Sequence, residues 1–552
     1  IWPMWGFFQN RGYYQFTNGF TTKTATNDGT GSALASFLLG LPAVKQRQAG
    51  IPQMQLRQWY ADGFVQDSYK LTRNTTVEMG LRYEYMNPLV DISYANTNLT
   101  FDSNGLPSVF VGGQNGFPEG LKYANTHNFA PRFGFSQAVP KFGIVIHSAF
   151  GVFFTPVDMN TWCNQRHNVP YVFPETQQSD NFTPAAGILA SHFNFGAPVL
   201  GQTTVSFTGM DPHAPSQYIE QWSFSVEKSL NQHTTLEVGY LGSHGLHLQR
   251  AHLINNAPPG PGAIGPRRPF VRINFVPDTT LPSNVTYVAP TAGCPNGQLC
   301  FPVSTINLLE NTAQSWYDAG YVNVRRRLSR GFTFLANYTY AKDLSDAPDF
   351  RSPMFEASIP QNNKDLAAEK GPACDVKHRF ALSAVYDIPG LHQDGWSGKL
   401  TKNWRMSTLY QFQTGFPFTI SVFGDTANSG TVLGENPIRA NVTGQPIFPS
   451  GTRNASAWFN TAAFAAPAAF TFGNAGRNSV YGPGMQTLDF AVSRDFSITE
   501  AARFQFRAEF FNALNHTNLG TPDRFVNTPQ FGTITEATTP GREIQLSARL
   551  SF

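Results

Sequence analysis

The eight residues Arg503-Phe504-Gln505-Phe506-Arg507-Ala508-Glu509-Phe510 alternate strictly between polar and apolar side chains. Successive side chains of a β-strand point to opposite faces, so the four apolar residues would share one face and the four polar residues the other. A period of two sustained over eight residues is typical of a strand and not of a helix. This stretch therefore predicts a two-faced β-strand.

The same alternation recurs along the chain. It covers Thr75 to Tyr85, Gly331 to Tyr340 and Arg379 to Ile388, while residues 32–39 are the only helix candidate. Residues 542–552 repeat the pattern, and their apolar face carries Ile544, Leu546, Ala548, Leu550 and Phe552. We therefore predict an all-β protein. A final strand with a terminal aromatic residue is typical of bacterial outer-membrane barrels, although the last strand of a soluble sandwich is an alternative.

The predicted strands are joined by connections of two kinds. Short turns lie at about residues 71–74, 229–232, 328–331 and 497–500, whereas long segments cover about 87–126, 155–215, 249–311, 344–372 and 415–482. Loops of that length are uncommon in a compact soluble domain. The layout predicts an antiparallel transmembrane β-barrel with short periplasmic turns and long extracellular loops. We expect about 14 to 16 strands, each long enough for a tilted crossing.

The composition excludes several other classes of protein. Of the 552 residues, 14% are charged and 14% are aromatic, where a soluble domain carries roughly 25% charged residues. A membrane-spanning helix needs roughly 20 apolar residues, and the longest apolar run, Ala33 to Val44, is interrupted by polar, Gly and Pro residues. The aromatic content argues against disorder. A net charge of +3 gives no indication of a nucleic-acid partner.

Charged residues on the predicted strands fall on the face opposite the aromatic residues. An arginine on the lipid face at the membrane midplane costs about 2–4 kcal/mol, so we expect these charges to face the lumen of the barrel. A purely solvated role is the alternative. The residues are Arg82, Glu84, Arg405, Arg503, Arg507 and Glu509.

Two of the four cysteines are close in sequence. Cys294 and Cys300 enclose five residues of a long loop, and no further zinc ligands are evident beside them. We predict a disulfide, which suits an oxidising compartment. The sequence does not pair Cys163 with Cys374. No nucleophile motif, phosphate-binding loop or metal-ligand spacing stands out, so we predict a protein without enzymatic activity, metal or cofactor.

Several stretches, taken together and in order, resemble one family. They are Asp67 to Lys70 with Gly80 to Tyr85, Tyr218 to Lys228 with Leu236 to Gly245, Val376 to Phe380 with Asn403 to Arg405, Trp458 to Phe464 with Gly473 to Asn478, and Phe504 to His516. The chain resembles, from about Gly12 to Phe552, the barrel of TonB-dependent outer-membrane receptors. It is most similar to the Oar-like group that is common in acidobacteria.

The resemblance implies one barrel domain over residues 1–552. Barrels of this family have about 22 strands, preceded by a plug and, in the Oar-like group, by a carboxypeptidase-regulatory-like domain. We therefore expect an N-terminally incomplete receptor in which the plug and the regulatory-like domain are absent. In such a receptor the charged residues named above would be plug contacts or would hydrate the lumen.

The resemblance also implies a location and a function. We expect the cell outer membrane of a Gram-negative-type bacterium, with outer-membrane lipid as a partner. The receptor would take up a bulky or scarce ligand when the TonB–ExbB–ExbD complex acts through the missing plug. The last strand, with Ile544, Leu546, Leu550 and Phe552, would engage the barrel-assembly machinery. The ligand is not specified by the sequence.

Two other functions fit the same pattern. A passive outer-membrane porin or adhesin-like scaffold would share the barrel but would not couple to TonB. A secreted, soluble β-rich carbohydrate-binding protein or enzyme would share the strand content but not the membrane location.

Overall fold

The structure is a computed structural model of the whole chain. It describes residues 2–4, 12–24, 30–50, 54–156, 164–179, 183–191, 199–202, 204–283, 285–290, 293–294, 297–347, 357, 359–390, 401–431, 437–449, 451, 453–499 and 502–552. Cys163, which the sequence left unpaired, lies outside the described residues. The described part is nearly all β-structure, as predicted.

In chain order, the strands of the N-terminal half are β1 (Trp2–Met4), β2 (Tyr13–Gln15), β3 (Val44–Gly50), β4 (Met54–Arg57), β5 (Tyr60–Thr72), β6 (Thr75–Met86), β7 (Val90–Asp91), β8 (Thr97–Phe101), β9 (Pro107–Val111), β10 (Phe129–Val139), β11 (Ile144–Phe154), β12 (Val172–Gln178), β13 (Val199–Leu200), β14 (Val205–Met210), β15 (Tyr218–Ser229), β16 (Thr234–Leu253), β17 (Arg272–Phe275) and β18 (Thr286–Tyr287). The strands that follow are β19 (Cys300–Ser329), β20 (Phe332–Ser345), β21 (Gly371–Pro372), β22 (His378–Ile388), β23 (Trp404–Gln413), β24 (Pro417–Phe418), β25 (Asn441–Val442), β26 (Phe464–Ala465), β27 (Val480–Tyr481), β28 (Met485–Ser497), β29 (Arg503–Phe511) and β30 (Glu543–Ser551).

The helices are short. The α-helices are α1 (Ala33–Leu38) and α2 (Ala186–Ser191), and the 3-10 helices are Gly19–Thr21, Pro140–Phe142, Asn164–His167, Gly265–Arg267, Leu366–Glu369 and Thr461–Ala463. The hydroxyl of Ser32 caps α1 by accepting a hydrogen bond from the Ala35 amide, the usual role of serine at a helix start. Within the described ranges, no helix is long and apolar enough to be a candidate membrane span.

Thirteen long strands form one continuous antiparallel meander. Their order is β5, β6, β10, β11, β15, β16, β19, β20, β22, β23, β28, β29 and β30, and each pairs with the next. Counted over the described residues alone, this is one strand fewer than the lower end of the predicted 14 to 16. The family total of about 22 strands stays a prediction.

The register of these strands places the predicted apolar side chains on one face. One row of directly opposed residues runs through Phe334, Ala384, Thr408, Phe490, Phe510 and Ile544. Because side chains alternate along every strand, the neighbouring positions form a second, polar face. We call these two surfaces the apolar face and the polar face.

The two ends of the meander differ as the sequence predicts. At one end, β5 and β6 are joined by Arg73 and Asn74, and β19 and β20 by Arg330 and Gly331. At the other end, the connections are long, for example residues 87–128 and 414–484. The predicted loop 249–311 is shorter than expected, because β16 continues to Leu253 and β19 begins at Cys300. These two strands pair with each other beyond the meander.

The outermost strands of the meander are β5 and β30. Within the described residues, β5 pairs along its length only with β6, and β30 pairs only with β29. Every residue of both strands is exposed. Each of these two strands therefore presents a row of backbone groups along its outer side, which is the usual property of an edge strand.

Candidate functional site

The long connections fold into a layer of their own at one end of the sheet. Its first hydrophobic core is built from β8, β9, β14, β17 and the start of β19. Phe207, Phe275 and Phe301 are almost completely buried there, and the rings of Phe275 and Phe301 meet edge to face with centroids 5.4 Å apart. We call this region, with the second core described next, the loop layer.

A second core joins the β23–β28 connection to the β29–β30 connection. Phe418, Phe459 and Phe464 are buried in it, and Phe531 packs against them. The indole of Trp458 donates a hydrogen bond of 2.9 Å to the Tyr481 carbonyl oxygen. Trp458 therefore contributes to packing within the loop layer.

Hydrogen bonds tie the two parts of the loop layer together. The Asn428 amide donates to the Gly260 and Gly262 carbonyl oxygens, at 2.8 and 2.9 Å. The Ala257 amide donates to the Ser429 carbonyl oxygen at 2.9 Å. The β16–β19 and β23–β28 connections are thus held against each other, so these long loops form one folded surface.

The structure joins Cys294 and Cys300 in a disulfide within the loop layer. Cys300 is fully buried at the start of β19. The Tyr287 hydroxyl accepts a hydrogen bond of 3.1 Å from the Cys300 amide and donates one of 3.0 Å to the Cys300 carbonyl oxygen. The disulfide therefore ties Cys294 to the edge of the first core.

Removing this disulfide is expected to weaken the loop layer. The double variant Cys294→Ala with Cys300→Ala should lower the free energy of unfolding by about 2 kcal/mol, which is the loop-closure entropy of so short a loop. Denaturant unfolding followed at the loop layer measures the loss. In the unaltered protein, maleimide should label neither sulfur before reduction. Full labelling without reductant would contradict the assignment.

The six charged residues predicted to face the lumen all lie on the polar face. Four of them are close to one another in pairs: Arg82 Nε is 2.7 Å from Glu84 Oε1, and Arg507 Nη2 is 2.7 Å from Glu509 Oε1. Arg82 also contacts Asp62 at 2.6 Å. Arg405 pairs instead with Asp387, at 2.6 Å.

These charges do not form one site. Arg82 and Glu84 lie on β6, whereas Arg405, Arg503, Arg507 and Glu509 lie on β23 and β29 near the opposite edge of the meander. Exposed ion pairs of this kind contribute little to stability. Their contact with a plug stays a prediction.

A cavity of about 510 Å³ lies on the polar face of β6, β10, β11, β15 and β16. Gly80, Gly134 and Gly151 contribute no side chains to its floor. The ring of Phe153 covers Gly151, where an added Cβ would lie 2.9 Å from the ring, and the Arg132 guanidinium lies 4.8 Å from the centroid of that ring. Its size is that of a small-molecule site.

Buried charges occur where loops meet. Glu369 and Arg439 are both almost completely buried, with 3.2 Å between Oε1 and Nη2. Burial raises the pKa of the Glu369 carboxyl even though Arg439 and Arg477 favour its charged form. A buried pair of this kind is costly to break from one side, so it fixes the contact between the β20–β22 and β23–β28 connections.

A second buried ionic group lies between the extensions of β16 and β19. Arg250 donates hydrogen bonds to the Thr312 hydroxyl and to the Thr312 carbonyl oxygen, at 2.9 and 2.8 Å, and Glu310 lies 3.8 Å away. Burial lowers the pKa of the neighbouring His252, although Glu310 opposes the change. Neither ring nitrogen of His252 has a hydrogen-bond partner among the described residues.

Lys122 is a further buried charge. It lies within the long β6–β10 connection, and only 9% of its surface is exposed. Burial lowers the pKa of its ammonium group from 10.5 to about 8, although the charge of Asp211 opposes the change. The folded protein therefore disfavours the charged form of Lys122.

The lowered pKa of Lys122 predicts that the free energy of unfolding changes with pH in the alkaline range. Because the folded-state pKa lies below the ordinary one, the cost of charging Lys122 is fully present below pH 8. It is relieved as the pH rises from 8 to 10.5, where only the unfolded chain still holds the proton. The free energy of unfolding of the loop layer should rise over this window by up to about 3 kcal/mol. Lys122→Met should remove the rise; a rise that persists in this variant would assign it to another group.

The described residues hold no group of three or more His, Cys, Asp or Glu side chains that could bind a metal ion. The arrangement as described is suited to binding and passage, because it combines a polar-faced sheet with a folded layer of loops above it.

Sequence reasoning missed the loop layer and its buried charges. Part of it carries a signal in the sequence: Val205 and Phe207 alternate with Ser206 and Thr208, and Val303 lies between Pro302 and Ser304. The alternation in these stretches is too short to distinguish a strand from the predicted long loops around them. No sequence signal marked Lys122, whose burial depends on segments that are distant in the chain.

Similarity to solved structures is weak in sequence and in overall superposition. The outer membrane transporter YddB from Escherichia coli is 9% identical with a TM-score of 0.40, and the match covers 93% of this chain and 52% of that chain. The siderophore receptor PirA from Acinetobacter baumannii is 10% identical with a TM-score of 0.41, covering 98% and 50%. The ferripyoverdine receptor of the outer membrane of Pseudomonas aeruginosa is 8% identical with a TM-score of 0.42, covering 90% and 39%. The chain thus spans about half the length of these proteins, or less.

No curated protein matches the sequence. The model of one protein family, described as the outer membrane beta barrel domain, matches residues 2–545. This is a family of membrane barrels and not of enzymes, and it places the protein in the cell outer membrane. Because the match covers nearly the whole chain and agrees with the two-faced antiparallel meander, the chain belongs to the outer membrane beta-barrel domain family.

Proposed function

We propose that the chain is the barrel of a TonB-dependent outer-membrane transporter of the Oar-like type. It takes up a bulky or scarce ligand from outside the cell. The barrel carries out no bond chemistry. Its contribution is to bind the ligand at the loop layer and to line the passage with the polar face.

One observation carries this proposal: the long loops fold together into a layer with its own hydrophobic cores above a polar-faced sheet. A folded layer offers the preorganised surface that a receptor needs to select a ligand. The cavity of about 510 Å³ on the polar face offers a further place for a ligand or a plug segment.

We also propose that these 552 residues are the barrel part of a receptor that also contains a plug and a regulatory-like domain. The plug would contact the polar face, with Arg82, Glu84, Arg405, Arg503, Arg507 and Glu509 as candidate contacts. It would link the barrel to TonB–ExbB–ExbD. The barrel-assembly machinery would recognise the last strand, which carries Ile544, Leu546, Leu550 and Phe552.

The test uses the native polypeptide from the source bacterium. Its gene is read upstream of the codon for Ile1, and the polypeptide, solubilised from outer membranes, is tested for binding to the purified periplasmic domain of TonB. A plug with a TonB-contacting segment, together with binding, supports the proposal. An intact native polypeptide that has no plug and does not bind TonB would favour a passive porin or adhesin-like scaffold.

A further inference from the structure

Lys122 lines a small cavity at the long-loop end of the polar face. The cavity is surrounded by five amide side chains, which belong to Gln58, Asn87, Asn125, Gln217 and Asn311. Its volume is about 30 Å³, and one water molecule needs roughly 10–15 Å³ by such a measure. The space therefore suits a polar group with about two heavy atoms in contact with the walls.

The ammonium of Lys122 forms no hydrogen bond with any described residue, and no carboxylate of the described part lies within 4.0 Å of it. Asp211 acts on it only at longer range. Buried charges in proteins are normally paired and hydrogen-bonded, because an isolated one is costly. The unsatisfied ammonium therefore favours a negatively charged guest.

The hydrogen bonds of the cavity wall point to the same conclusion. Four of the five amide oxygens already accept a hydrogen bond from the protein. The donors are the Tyr60 hydroxyl to Gln58, the Trp59 amide to Asn87, the His127 amide to Asn125 and the Gln249 amide to Gln217, at 2.7, 2.6, 3.0 and 3.2 Å.

The amide nitrogens retain donor capacity. Gln217 Nε2 forms no hydrogen bond with the described residues. Asn311 Nδ2 uses one of its two hydrogens on the Pro215 carbonyl oxygen, at 2.7 Å. The amide nitrogens of Gln58 and Asn87 each donate to a carbonyl oxygen, of Asn87 and Pro88, at 2.7 and 2.9 Å. The donor hydrogens left on Gln217 and Asn311, next to the ammonium of Lys122, are complementary to an anion.

We propose that this cavity is a subsite for a single carboxylate group, with Lys122 as its charged anchor and the amides of Gln217 and Asn311 as hydrogen-bond donors. The carboxylate can belong to a free small acid or to a larger ligand captured by the loop layer. In the second case the inference rests on the proposed uptake function and narrows its ligand to a carboxylate-bearing molecule.

The experiment measures the rate at which Lys122 reacts with an amine-directed label at pH 8, on the folded full chain in detergent. Acetate is the probe, and benzenesulfonate, which is too large for the cavity, keeps the ionic strength equal. A bound carboxylate that raises the pKa by about one unit should slow labelling of Lys122 about fivefold. Lys364, exposed on another loop, is the internal control and should not change. Equal Lys122 rates in both salts would overturn the proposal.

A variant provides an independent outcome. Gln217→Glu places a carboxylate inside the cavity, so Lys122 should label slowly without acetate and should no longer respond to it. If Lys122 still responds to acetate as before, the proposal fails.

Asp211, His213 and Tyr123 are the other titratable groups beside the cavity, and a single fixed pH holds their charges equal in all samples. Folding is checked by the β-sheet circular dichroism signal. The measurement does not involve TonB, so its failure is distinct from failure of the proposed transport.

Discussion

Replacing Ala384 by arginine is expected to destabilise the protein by about 2–4 kcal/mol in a lipid bilayer. Ala384 lies near the middle of β22 on the apolar face, opposite Phe334 and Thr408. If this face contacts acyl chains, the guanidinium must leave water to enter hydrocarbon. The measurement is the free energy of unfolding in lipid vesicles, followed by denaturant titration.

The matched control is the adjacent residue of the same strand. Ser383 lies on the polar face, opposite Leu335 and Leu409, so Ser383→Arg leaves the new charge in water and should cost less than about 1 kcal/mol. Equal losses for the two variants would refute the assignment of the faces. A larger loss for Ser383→Arg would mean that the polar face, and not the apolar face, contacts lipid.

Replacing Phe301 by alanine is expected to cost about 3–5 kcal/mol, the usual loss for a buried aromatic side chain. Phe301 is fully buried in the first core of the loop layer, with the rings of Phe275 and Phe207 at 5.4 and 6.5 Å. Its removal leaves a cavity that the disulfide-anchored segment cannot easily close. Because the core belongs to the loops, the loss should appear as local opening of the loop layer while the meander stays folded.

Proteolysis distinguishes local opening of the loop layer from unfolding of the whole meander. The rate at which a protease cuts the loop layer reports its opening free energy when opening is fast relative to cleavage. The control is Phe101→Ala, because Phe101 lies on β8 of the same layer but is 41% exposed; it should change the rate little. Loss of the β-sheet signal in Phe301→Ala at the same time as cleavage would show that loops and meander unfold as one unit.

The strands could be predicted because their pattern is local. Arg503 to Phe510 and Phe332 to Tyr340 alternate over eight or more residues, and the register places both apolar sets on one face. In a membrane both faces of a strand have a defined solvent, so every second residue is constrained over the whole length. The short turns followed for the same reason, since they separate two such patterns.

The loop layer could not be predicted because its contacts are not local. Phe207 packs against Phe301, and Glu369 pairs with Arg439, across long stretches of sequence. Short strands such as β17 and β25 carry too few residues for a period to be recognised. The cavity beside Lys122 likewise brings together Asn311 and Gln217, which no sequence spacing relates to it.

The two edge strands have a geometric consequence. In a meander of thirteen, the first and last members point the same way across the bilayer, so any set of strands that completes the cylinder with antiparallel neighbours on both sides must have an odd number of members. A second copy of this chain, which also has thirteen meander strands, would pair antiparallel at both edges only if it were inserted in the opposite orientation, with its loop layer facing the periplasm. Two copies that share one orientation can therefore meet edge to edge only with their edge strands parallel, and antiparallel closure of this sheet takes an odd number of other strands.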